Sequence, residues 1–507
     1  KLSKIIKKLK LKKNKIVLSH GVFDLLHIGH IKHFESAKKL GHKLIVSVTK
    51  NEFIDKGPNR PLFDLTLRME AIASLSCVDF VTYGNLDSAV DVIEHLKPNI
   101  YCKGQDYMNF SDDITGNIKK ESEAVKKIGG KIHFTTDIQF SSSKLINLNL
   151  ASPIILKEIK EKYKNLSIFK SQVMENLNKI KNLKVAIFGE LIEDEYIYSN
   201  NLGQPSKEFI HAVEKVKNDV FIGGSYAIAK NIIDFSKSVD VFSAGDISVN
   251  LKKQIKENVK NNIRLFNLDT NFSVVRKSRY LNNNDKKLFE CYSYRGKNKK
   301  LNLKNSILKL LNKKIAYYDC VIIADFGHGF FSKELFDLIK RKAHFLSINV
   351  QTNAGNRGFN LATKYKKSDN ILLDLPELQL ATGENSNDFK SLTKKLTSTI
   401  SSRYYTITRG KEGIYIYDKK KNQKISLSAF ETKPVDTMGA GDSVLGISSM
   451  LLSIGAPLNV VAYLSNLFGA ISTSIIGHSS SIENKEILKS VEYGLKWKYW
   501  LQEEQDL

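Results

Sequence analysis

Short apolar runs alternate with amphipathic helical patterns along the first part of the chain. Residues 16–19 form an apolar run that ends near a glycine, residues 30–40 carry a helical pattern, and residues 44–49 form the next apolar run. The alternation continues in this way to residue 135. Because strands that alternate with helices build parallel, doubly wound sheets, the pattern predicts an α/β domain over residues 1–150.

The alternation is interrupted once and then resumes. Pro153 and a polar, lysine-rich helical pattern at residues 156–182 precede a new apolar run at residues 184–188, and further buried-type runs follow as far as residue 408. This second stretch is long enough for one large α/β domain, again of the doubly wound class. The predicted organisation is a first domain at 1–150, a linker helix at 151–181, a second domain at 182–494 and a tail at 495–507.

The composition is that of an ordinary globular chain. Of 507 residues, 42% are hydrophobic and 26% are charged, which excludes a disordered, collagenous or low-complexity chain. The 78 Lys and Arg residues exceed the 53 Asp and Glu residues and give a net charge of +25. Such an excess suits nucleic acid, an anionic membrane surface or phosphorylated small substrates. The lysines are scattered rather than gathered on one face, so nucleic-acid binding is kept only as an alternative.

Cysteine usage and hydropathy bear on where the protein works. The four cysteines lie far apart, without CxxC spacing or a histidine partner, and predict a reducing cytoplasm rather than a disulfide framework or a zinc site. No apolar run is long enough for a transmembrane helix. The lysine-rich residues 1–15 lack the apolar segment of a signal peptide. We expect a short helix there that packs Ile5 and Leu9 on the first domain, in preference to a helix that lies on a membrane.

Two glycines and two histidines lie between the first predicted strand and the first predicted helix, in GVFDLLHIGH (residues 21–30). Gly21 and Gly29 let the backbone approach an anion closely, and the helix N-terminus offers free N–H groups and the positive end of its dipole. His27 and His30 are three residues apart, so both imidazoles can reach one bound triphosphate and stabilise the charge that builds at its phosphorus. A lone histidine would more often be a core residue, and this pairing disfavours that alternative.

GVFDLLHIGH resembles the HxGH nucleotidyltransferases, in particular the cytidylyltransferase-like branch that includes glycerol-3-phosphate cytidylyltransferase and the adenylyltransferase half of ADP-heptose synthase. KGPNRP at 56–61, KGQDY at 103–107 and FSSSKLI at 140–146 carry the resemblance further. In that family a phosphate monoester attacks the α-phosphorus of a nucleotide, pyrophosphate leaves, and Mg²⁺ neutralises charge. Residues 136–142 depart from the family's RTEGIST-type segment, so ATP and CTP both stay open, and only the heptose relatives favour ATP. The nucleotide-binding residues implied are Gly21, Phe23, Gly29, Lys56, Arg68, Asp106, Ser141 and Ser142.

The same resemblance implies individual roles. Lys56 and Arg68 hold phosphates, Ser141 and Ser142 offer hydroxyl and N–H groups at a helix start, and Asp106 lies near the nucleotide or the metal. Ordinary structural roles compete with each assignment, because surface cations, turn aspartates and capping serines are common without function.

A second glycine loop, DTMGAGD at 436–442, precedes an apolar helical stretch at 443–452. Glycines before a helix make an anion hole of backbone N–H groups, and an aspartate at its mouth can act as a base. The segment resembles the closing motif of the ribokinase-like (PfkB-type) sugar kinases. The resemblance implies that Gly439, Ala440 and Gly441 cradle the transferring phosphoryl group and that Asp442 takes the proton of the sugar hydroxyl, with a simple cap and turn as the structural alternative.

Other segments follow the kinase family in order along residues 182–494. DFGHG at 325–329 resembles the DYGKG of the heptose kinases, and DLPE at 374–377 occupies the place of the family's NxxE, whose acid organises Mg²⁺ through water. The site residues implied are Gly223 and Gly224 for the substrate, Thr408, Arg409 and Gly410 for the nucleotide, and Glu377 for Mg²⁺.

The departures from the kinase family concern the substrate side. GGAANVA has become GGSYAIA at 223–229, DPK has become NVQ at 349–351, and NxxE has become DxxE. Phosphoryl-transfer residues are thus retained while sugar-contacting ones have changed. A run of cations, Arg276, Lys277 and Arg279, could bind a substrate phosphate, but a solvated charge run is the favoured interpretation.

Together the two halves resemble the bifunctional ADP-heptose synthases, with the domain order reversed because those enzymes usually place the kinase first. The resemblance implies a Rossmann-like nucleotidyltransferase domain followed by a ribokinase-like domain, with sugar phosphates and nucleoside triphosphates as substrates. It also implies a homo-oligomer, Mg²⁺, and heptose-like sugars activated by ATP or CTP. Two alternatives stay open: a pseudokinase domain that only binds ligand or dimerises, and a nucleic-acid binder whose affinity falls steeply with salt.

Overall fold

The structure is a computed structural model, and the contacts within the chain divide it into two compact units. The first unit comprises Lys1–Glu161 with Lys485–Leu507, and the second comprises Lys162–Asn484. The predicted domains at 1–150 and 182–494 differ from these units at both boundaries. The structure describes residues 2–54, 61, 63–104, 117–135, 166–204, 207, 209–210, 212–258, 262–282, 287–430, 436–475, 477 and 479–494.

A five-stranded parallel sheet in the order β3-β2-β1-β4-β5 forms the centre of the first unit. Leu18 of β1 pairs with Ile45 of β2 on one side and with Tyr101 of β4 on the other. The strand order therefore reverses beside β1, which is where open α/β sheets bind ligands beyond the carboxyl ends of their strands. The strands are β1 Ile16–Gly21, β2 Lys43–Val48, β3 Phe80–Tyr83, β4 Ile100–Gly104 and β5 Lys131–Thr135.

Helices connect these strands and cover the sheet. The helices described in this unit are α1 Leu2–Leu11, α2 Ile28–Lys39, α3 Leu65–Ala73, α4 Val90–Leu96, α5 Asn117–Lys127 and, at the other end of the chain, the helix Asn484–Gly494, which begins at the unit boundary.

The N-terminal helix packs on the first unit, but through a different residue than we expected. Ile6 is 1% exposed and belongs to the core, and Leu9 packs against the same cluster. Ile5, by contrast, is 43% exposed. The prediction is therefore confirmed for Leu9 and wrong for Ile5, whose neighbour Ile6 takes the buried position. Within the described stretches, no helix is long and apolar enough to cross a membrane.

A nine-stranded sheet in the order β10-β9-β6-β13-β14-β15-β16-β17-β18 forms the core of the second unit. Its first seven strands are parallel, and β17 and β18 are antiparallel to their neighbours. The strands are β6 Lys184–Gly189, β9 Ser238–Ser243, β10 Ile263–Asn267, β13 Cys320–Asp325, β14 Leu346–Val350, β15 Asn370–Asp374, β16 Tyr404–Thr408, β17 Ile414–Asp418 and β18 Gln423–Leu427. Both units thus confirm the predicted doubly wound α/β class.

The helices of the second unit include one that we had assigned to a linker. Helix α6 buries Phe169, Val173, Leu177 and Ile180, and Phe169 packs edge-on against Tyr463 with ring centroids 5.4 Å apart. Its apolar side is therefore part of the core, and the predicted linker helix at 151–181 is wrong for residues 166–180. The helices of the second unit are α6 Leu166–Ile180, α7 Ser225–Ile232, α8 Val249–Asn258, α9 Asn305–Lys314, α10 Lys333–Lys342, α11 Leu375–Thr382, α12 Phe389–Thr399, α13 Ala440–Ser453 and α14 Leu458–Ser472. The helix Asn484–Gly494, described above with the first unit, is numbered α15.

A separate four-stranded sheet in the second unit was not predicted, and we call it the lid sheet. It comprises β7 Leu191–Gly203, β8 Ala212–Gly224, β11 Val274–Leu281 and β12 Lys287–Arg295, in the order β12-β11-β7-β8. The acids at 193–195 interrupt the alternation of apolar and polar residues that marks a strand. They are nevertheless buried, since cations of β11 pair with them across the sheet.

Candidate active sites

The HxGH turn of the first unit joins β1 to α2 at the point where the strand order reverses. His27 is the N-cap of α2, and its Nδ1 accepts the backbone N–H of His30 at 3.4 Å. The two imidazole rings stack with centroids 3.8 Å apart and planes inclined by 18°. The structure therefore brings both predicted histidines together at a helix N-terminus, where a phosphate is favoured.

The tautomer of His27 follows from its surroundings. Burial lowers the pKa of His27, so the imidazole is neutral at pH 7. Because Nδ1 accepts a hydrogen bond, the ring proton lies on Nε2. His27 can thus donate from Nε2 to a ligand at this turn.

Phe23 explains the need for a glycine at position 21. Phe23 adopts φ +49°, which is unusual for a residue with a side chain, and its ring lies over Gly21. A Cβ at Gly21 would lie 2.9 Å from the Phe23 ring. The same ring meets His30 edge-on at 5.2 Å, while Gly29 is buried in the first turn of α2. Phe23 and the two glycines thus shape the turn around the histidines.

Arg68 lies in α3 and is only 1% exposed, so the alternative of a surface arginine is wrong. Its guanidinium donates to the carbonyls of Val22, Thr49 and Phe63 and to the Asn51 side chain. Four of the five guanidinium N–H groups are thereby used within the protein. Arg68 ties the turn to β2 and α3, and direct binding of a phosphate by Arg68 stays a prediction that this geometry does not favour.

The remaining nucleotide-binding predictions in the first unit lie outside the described residues, namely Lys56, Asp106, Ser141 and Ser142.

The GAGD turn of the second unit leads into α13. Gly439 is the N-cap with φ +78°, a conformation that favours glycine, and α13 begins at Ala440. Asp436 accepts hydrogen bonds from the Tyr196 hydroxyl and the Met438 N–H and pairs with Lys287 at 2.8 Å. These contacts anchor the loop, so that the N–H groups of Ala440 and Gly441 stand at a fixed helix N-terminus.

Asp442 lies in the first turn of α13 and is 6% exposed. Burial raises the pKa of Asp442 to about 7, although the hydrogen bond from Gln351 lowers it. Gln351 Nε2 donates to Asp442 Oδ1 at 2.8 Å. A carboxylate that titrates near neutrality, at a helix N-terminus, has the properties of a general base. In the sequence, Gln351 stands where the heptose kinases have the lysine of DPK, and nothing in the sequence indicates its hydrogen bond to Asp442.

Glu377 lies near Asp442 and caps its own helix together with Asp374. Glu377 accepts the backbone N–H groups of Thr352 at 3.1 Å and of Asp374 at 2.9 Å. Burial and the neighbouring Asp374 and Asp442 carboxylates raise the pKa of Glu377 to about 8. Carboxylates that raise one another's pKa in this way fit a divalent cation, since its charge would relieve the repulsion. The described residues hold no ready cluster of three protein ligands, which is usual for Mg²⁺ bound mainly by water and phosphate.

The substrate-side glycines end β8 of the lid sheet. Gly224 has φ +65°, and a Cβ there would lie 2.4 Å from the Glu190 carbonyl oxygen. The next residue donates its N–H to the same carbonyl at 2.9 Å. Gly223 pairs with Ile192 of β7. Gly224 therefore allows the end of β8 to approach the backbone of Glu190 closely.

Glu190 fixes the DFGHG loop, because its carboxylate accepts hydrogen bonds from the backbone N–H groups of Phe326 and His328. Asp325 in turn accepts the Gly327 N–H and the Tyr365 hydroxyl. Burial and the Asp325 charge raise the pKa of Glu190 to about 7. The loop is thereby fixed on two carboxylates, with His328 at its tip.

The TRG turn follows β16, and its arginine has protein partners. Arg409 donates to the side chain and carbonyl of Glu412 and to Ser426, and its guanidinium stacks 4.2 Å from the Phe389 ring centroid. Gly410 adopts φ +55°. Arg409 thus shapes the turn that starts at Thr408, and nucleotide contacts by these three residues stay predictions.

The cations of β11 are not the solvated charge run that we favoured. Arg276 pairs with Glu193, and Arg279 pairs with both Asp194 and Glu290. The hydrophobic pattern could not show these ion pairs. Glu193 lies more than eighty positions from Arg276 in the chain, and Asp194 lies more than eighty positions from Arg279.

Comparison with known proteins finds one family match that includes the HxGH turn and another that includes the GAGD turn. Residues 18–164 match the cytidylyltransferase-like family, and residues 294–485 match the pfkB family of carbohydrate kinases. The cytidylyltransferase-like match therefore precedes the pfkB-type carbohydrate kinase match along the chain, in the order that we predicted. Both families use nucleoside triphosphates.

Individual relatives share part of the chain. The "Bifunctional protein HldE" of Geobacter metallireducens is 33% identical over 144 residues, which are 28% of this chain and 28% of the relative. That of Coxiella burnetii is 38% identical over 135 residues, 26% of this chain and 27% of the relative. The chain thus matches little more than a quarter of these relatives. Among solved structures, ribokinase from Thermotoga maritima is 18% identical, with a TM-score of 0.46, over 61% of this chain and 99% of its own.

Proposed function

We propose that the protein is a bifunctional enzyme of nucleotide-activated sugar synthesis. Its second unit phosphorylates a heptose-like sugar phosphate, and its first unit joins a sugar 1-phosphate to a nucleotide. The observation that carries the proposal is the presence of two separate helix N-termini, one with the His27–His30 pair and one with Asp442 behind Gly439. The partial likeness to the two HldE proteins supports the sugar class.

In the kinase reaction, Asp442 accepts the proton of the sugar hydroxyl while the N–H groups of Ala440 and Gly441 stabilise the phosphoryl oxygens. Gln351 holds the Asp442 carboxylate in position through its 2.8 Å hydrogen bond. Glu377 and Asp374 would hold Mg²⁺, in part through water, and the ion would neutralise phosphate charge.

In the transferase reaction, the sugar 1-phosphate attacks the α-phosphorus of ATP or CTP, and pyrophosphate leaves. His27 donates from Nε2, and His30 lies against it on the same side of the turn, so that both stabilise charge on the phosphate oxygens. Lys56, Asp106, Ser141 and Ser142 belong to this proposal as further nucleotide contacts. Mg²⁺ serves here as well.

The test is to incubate the full chain with Mg²⁺, ATP or CTP, and a panel of sugars, sugar phosphates and sugar 1-phosphates, with ADP and pyrophosphate measured separately. We expect both products, Asp442→Asn to abolish only ADP, and His27→Ala to abolish only pyrophosphate. Pyrophosphate alone across the whole panel would instead favour the pseudokinase alternative. Loss of both products in either single variant would contradict two separate sites.

Two further features belong to the proposal. We expect a cytoplasmic protein, since Cys77, Cys102, Cys291 and Cys320 are all free thiols. We also expect a homo-oligomer, by likeness to ribokinase-like enzymes, and light scattering of the purified chain would measure its mass directly.

A further inference from the structure

One row of side chains on the lid sheet carries a lysine that pairs with no acid among the described residues. Strand pairing places Tyr292, Lys277, Asp194 and Phe221 side by side across β12, β11, β7 and β8. Directly paired residues project from the same face of a sheet. Tyr196, two residues from Asp194 on β7, shares this face and binds Asp436 of the DTMGAGD loop. The face with Lys277 is therefore the one turned toward the kinase site.

Lys277 is 8% exposed, and yet no hydrogen bond or ion pair of its ammonium group is found among the described residues. The two nearby acids on this face, Asp194 and Glu290, are both bound by Arg279. The contact that Lys277 does make is with the Tyr292 ring, whose centroid lies 5.4 Å from Nζ. Burial of an unpaired ammonium group costs free energy. We therefore expect the Lys277 ammonium group to bind an anionic ligand from solution.

His328 provides a second orphaned group beside the same face. Its Nε2 is buried and has no hydrogen-bond partner within the part of the chain that the structure describes. The His328 ring lies 6.2 Å from the ring of Tyr294, which belongs to the next row on this face of the lid sheet. That row runs Tyr294, Val275, Ile192 and Gly223. The histidine thus stands at one end of a row whose other end is a substrate-side glycine.

The charge of Lys277 acts on His328. Burial and the Lys277 charge together lower the pKa of His328 to about 4, so the imidazole is neutral. Burial also lowers the pKa of Lys277, while the charges of Asp194 and Asp442 oppose this effect. Lys277 therefore lies within electrostatic range of both His328 and the proposed base.

We propose that Lys277 Nζ and His328 Nε2 together bind the phosphate group that the sugar substrate already carries. This inference rests on the proposed kinase function and names the feature that selects its substrate. An ammonium group and a neutral imidazole N–H are both donors, and together they suit a phosphate more than a hydroxyl. The transferring phosphoryl group has donors of its own at the start of α13, whereas Lys277 shares a face of the lid sheet with Gly223, and His328 lies beside that face.

The experiment measures binding and turnover of heptose 7-phosphate and of free heptose by the full chain. Calorimetry without nucleotide gives affinities, and ADP release gives kcat and KM. For Lys277→Met we expect affinity for heptose 7-phosphate to fall about 10- to 100-fold, with less than a threefold change for free heptose. Lys215→Met is the matched control, since Lys215 is an exposed lysine of the same sheet and should change neither.

His328 needs a pair of variants. His328→Phe removes the donor and should weaken heptose 7-phosphate binding about tenfold, whereas His328→Gln retains an N–H donor and should recover part of the affinity. Lys277→Met should melt at the same or a higher temperature than the unmodified chain, because it removes a buried charge without an ionic partner. A clear loss of thermal stability in Lys277→Met would contradict the absence of a protein partner and overturn the assignment.

The outcomes separate this subsite from the kinase proposal. Binding of heptose 7-phosphate that depends on Lys277 without any ADP release would retain the subsite and refute the kinase activity. The second outcome is that Lys277→Met releases ADP and that its KM values for heptose 7-phosphate and for free heptose have the same ratio as in the unmodified protein. This result would refute the subsite and leave the kinase proposal intact. A Lys277→Met effect confined to the KM for ATP would assign the lysine to the nucleotide phosphate and overturn the proposal.

Discussion

Replacement of Asp442 by asparagine should remove kinase activity and stabilise the second unit at alkaline pH. Asp442 is buried, and Gln351 donates a hydrogen bond to its Oδ1. Asparagine has the same shape and an Oδ1 that accepts this hydrogen bond, but it carries no charge. The substitution therefore changes the charge of the group and leaves its packing intact.

The magnitude follows from the pKa of Asp442, which rises from the ordinary 3.8 to about 7. Between these two pH values the folded chain holds a proton on Asp442 that the unfolded chain has released. Folding stability of the unmodified protein therefore falls as pH rises through this window, by about 1.4 kcal/mol for each pH unit. Relative to the unmodified protein, Asp442→Asn should gain nothing below about pH 4 and about 4 kcal/mol at most above pH 7.

Two buried cysteines allow the units to be followed separately. Cys320 lies in β13 of the second unit and Cys102 in β4 of the first, and both are 0% exposed. Thiol labelling in increasing urea, with each cysteine identified by mass spectrometry, gives the unfolding of each unit at every pH. We expect Asp442→Asn to shift the Cys320 transition and to leave the Cys102 transition unchanged. ADP release should fall by about 10² to 10⁴ in the same variant.

The reasoning would be refuted if the stability difference between Asp442→Asn and the unmodified protein were the same at pH 5 and pH 8. A pH-independent difference would mean that the Asp442 carboxylate is already ionised at low pH, for example through a cation partner. Retention of ADP release in the variant would show that another group accepts the hydroxyl proton.

Three further predictions concern single positions. Arg68→Met should lower the stability of the first unit by about 3 kcal/mol, measured by Cys102 labelling, because three backbone carbonyls around the buried Arg68 side chain lose a charged donor. The matched control Lys126→Met, at an exposed lysine, should have no effect. Gly224→Ala should destabilise the second unit by about 1–3 kcal/mol and reduce ADP release without affecting pyrophosphate release, since its Cβ would lie 2.4 Å from a backbone oxygen; wild-type stability would contradict the backbone conformation. Glu377→Gln should raise the Mg²⁺ concentration needed for half-maximal ADP release about 10- to 100-fold, and an unchanged Mg²⁺ dependence would exclude Glu377 from the metal site.

Much of the fold follows from local patterns in the sequence. The apolar runs in the first 135 residues predict the parallel strands of the first unit, and the run at 404–408 matches β16 to the residue. The two glycine turns were also placed correctly, at the starts of α2 and α13. These features can be predicted because a strand, a helix start or a glycine turn depends on residues within one or two turns of chain.

Features that depend on distant residues escaped prediction. The lid sheet was missed because its strands carry buried charges whose partners lie on another strand, as Glu193 and Arg276 show. Residues 166–180 were assigned to a linker because their composition is polar, although one side of the helix packs against Tyr463. Arg68 looked like a phosphate ligand, and only the fold surrounds it with carbonyl groups.

The sequence by itself therefore determined the class of each unit and the residue types of the two glycine turns, since both depend on short-range spacing along the chain. The tertiary structure alone decided which charged and polar side chains pair with one another. Gln351 reaches Asp442 across ninety-one positions of the chain, and Arg279 binds the acids that would otherwise have paired with Lys277. Ion pairing depends on distances of a few ångströms in space, and spacing along the chain does not contain that information.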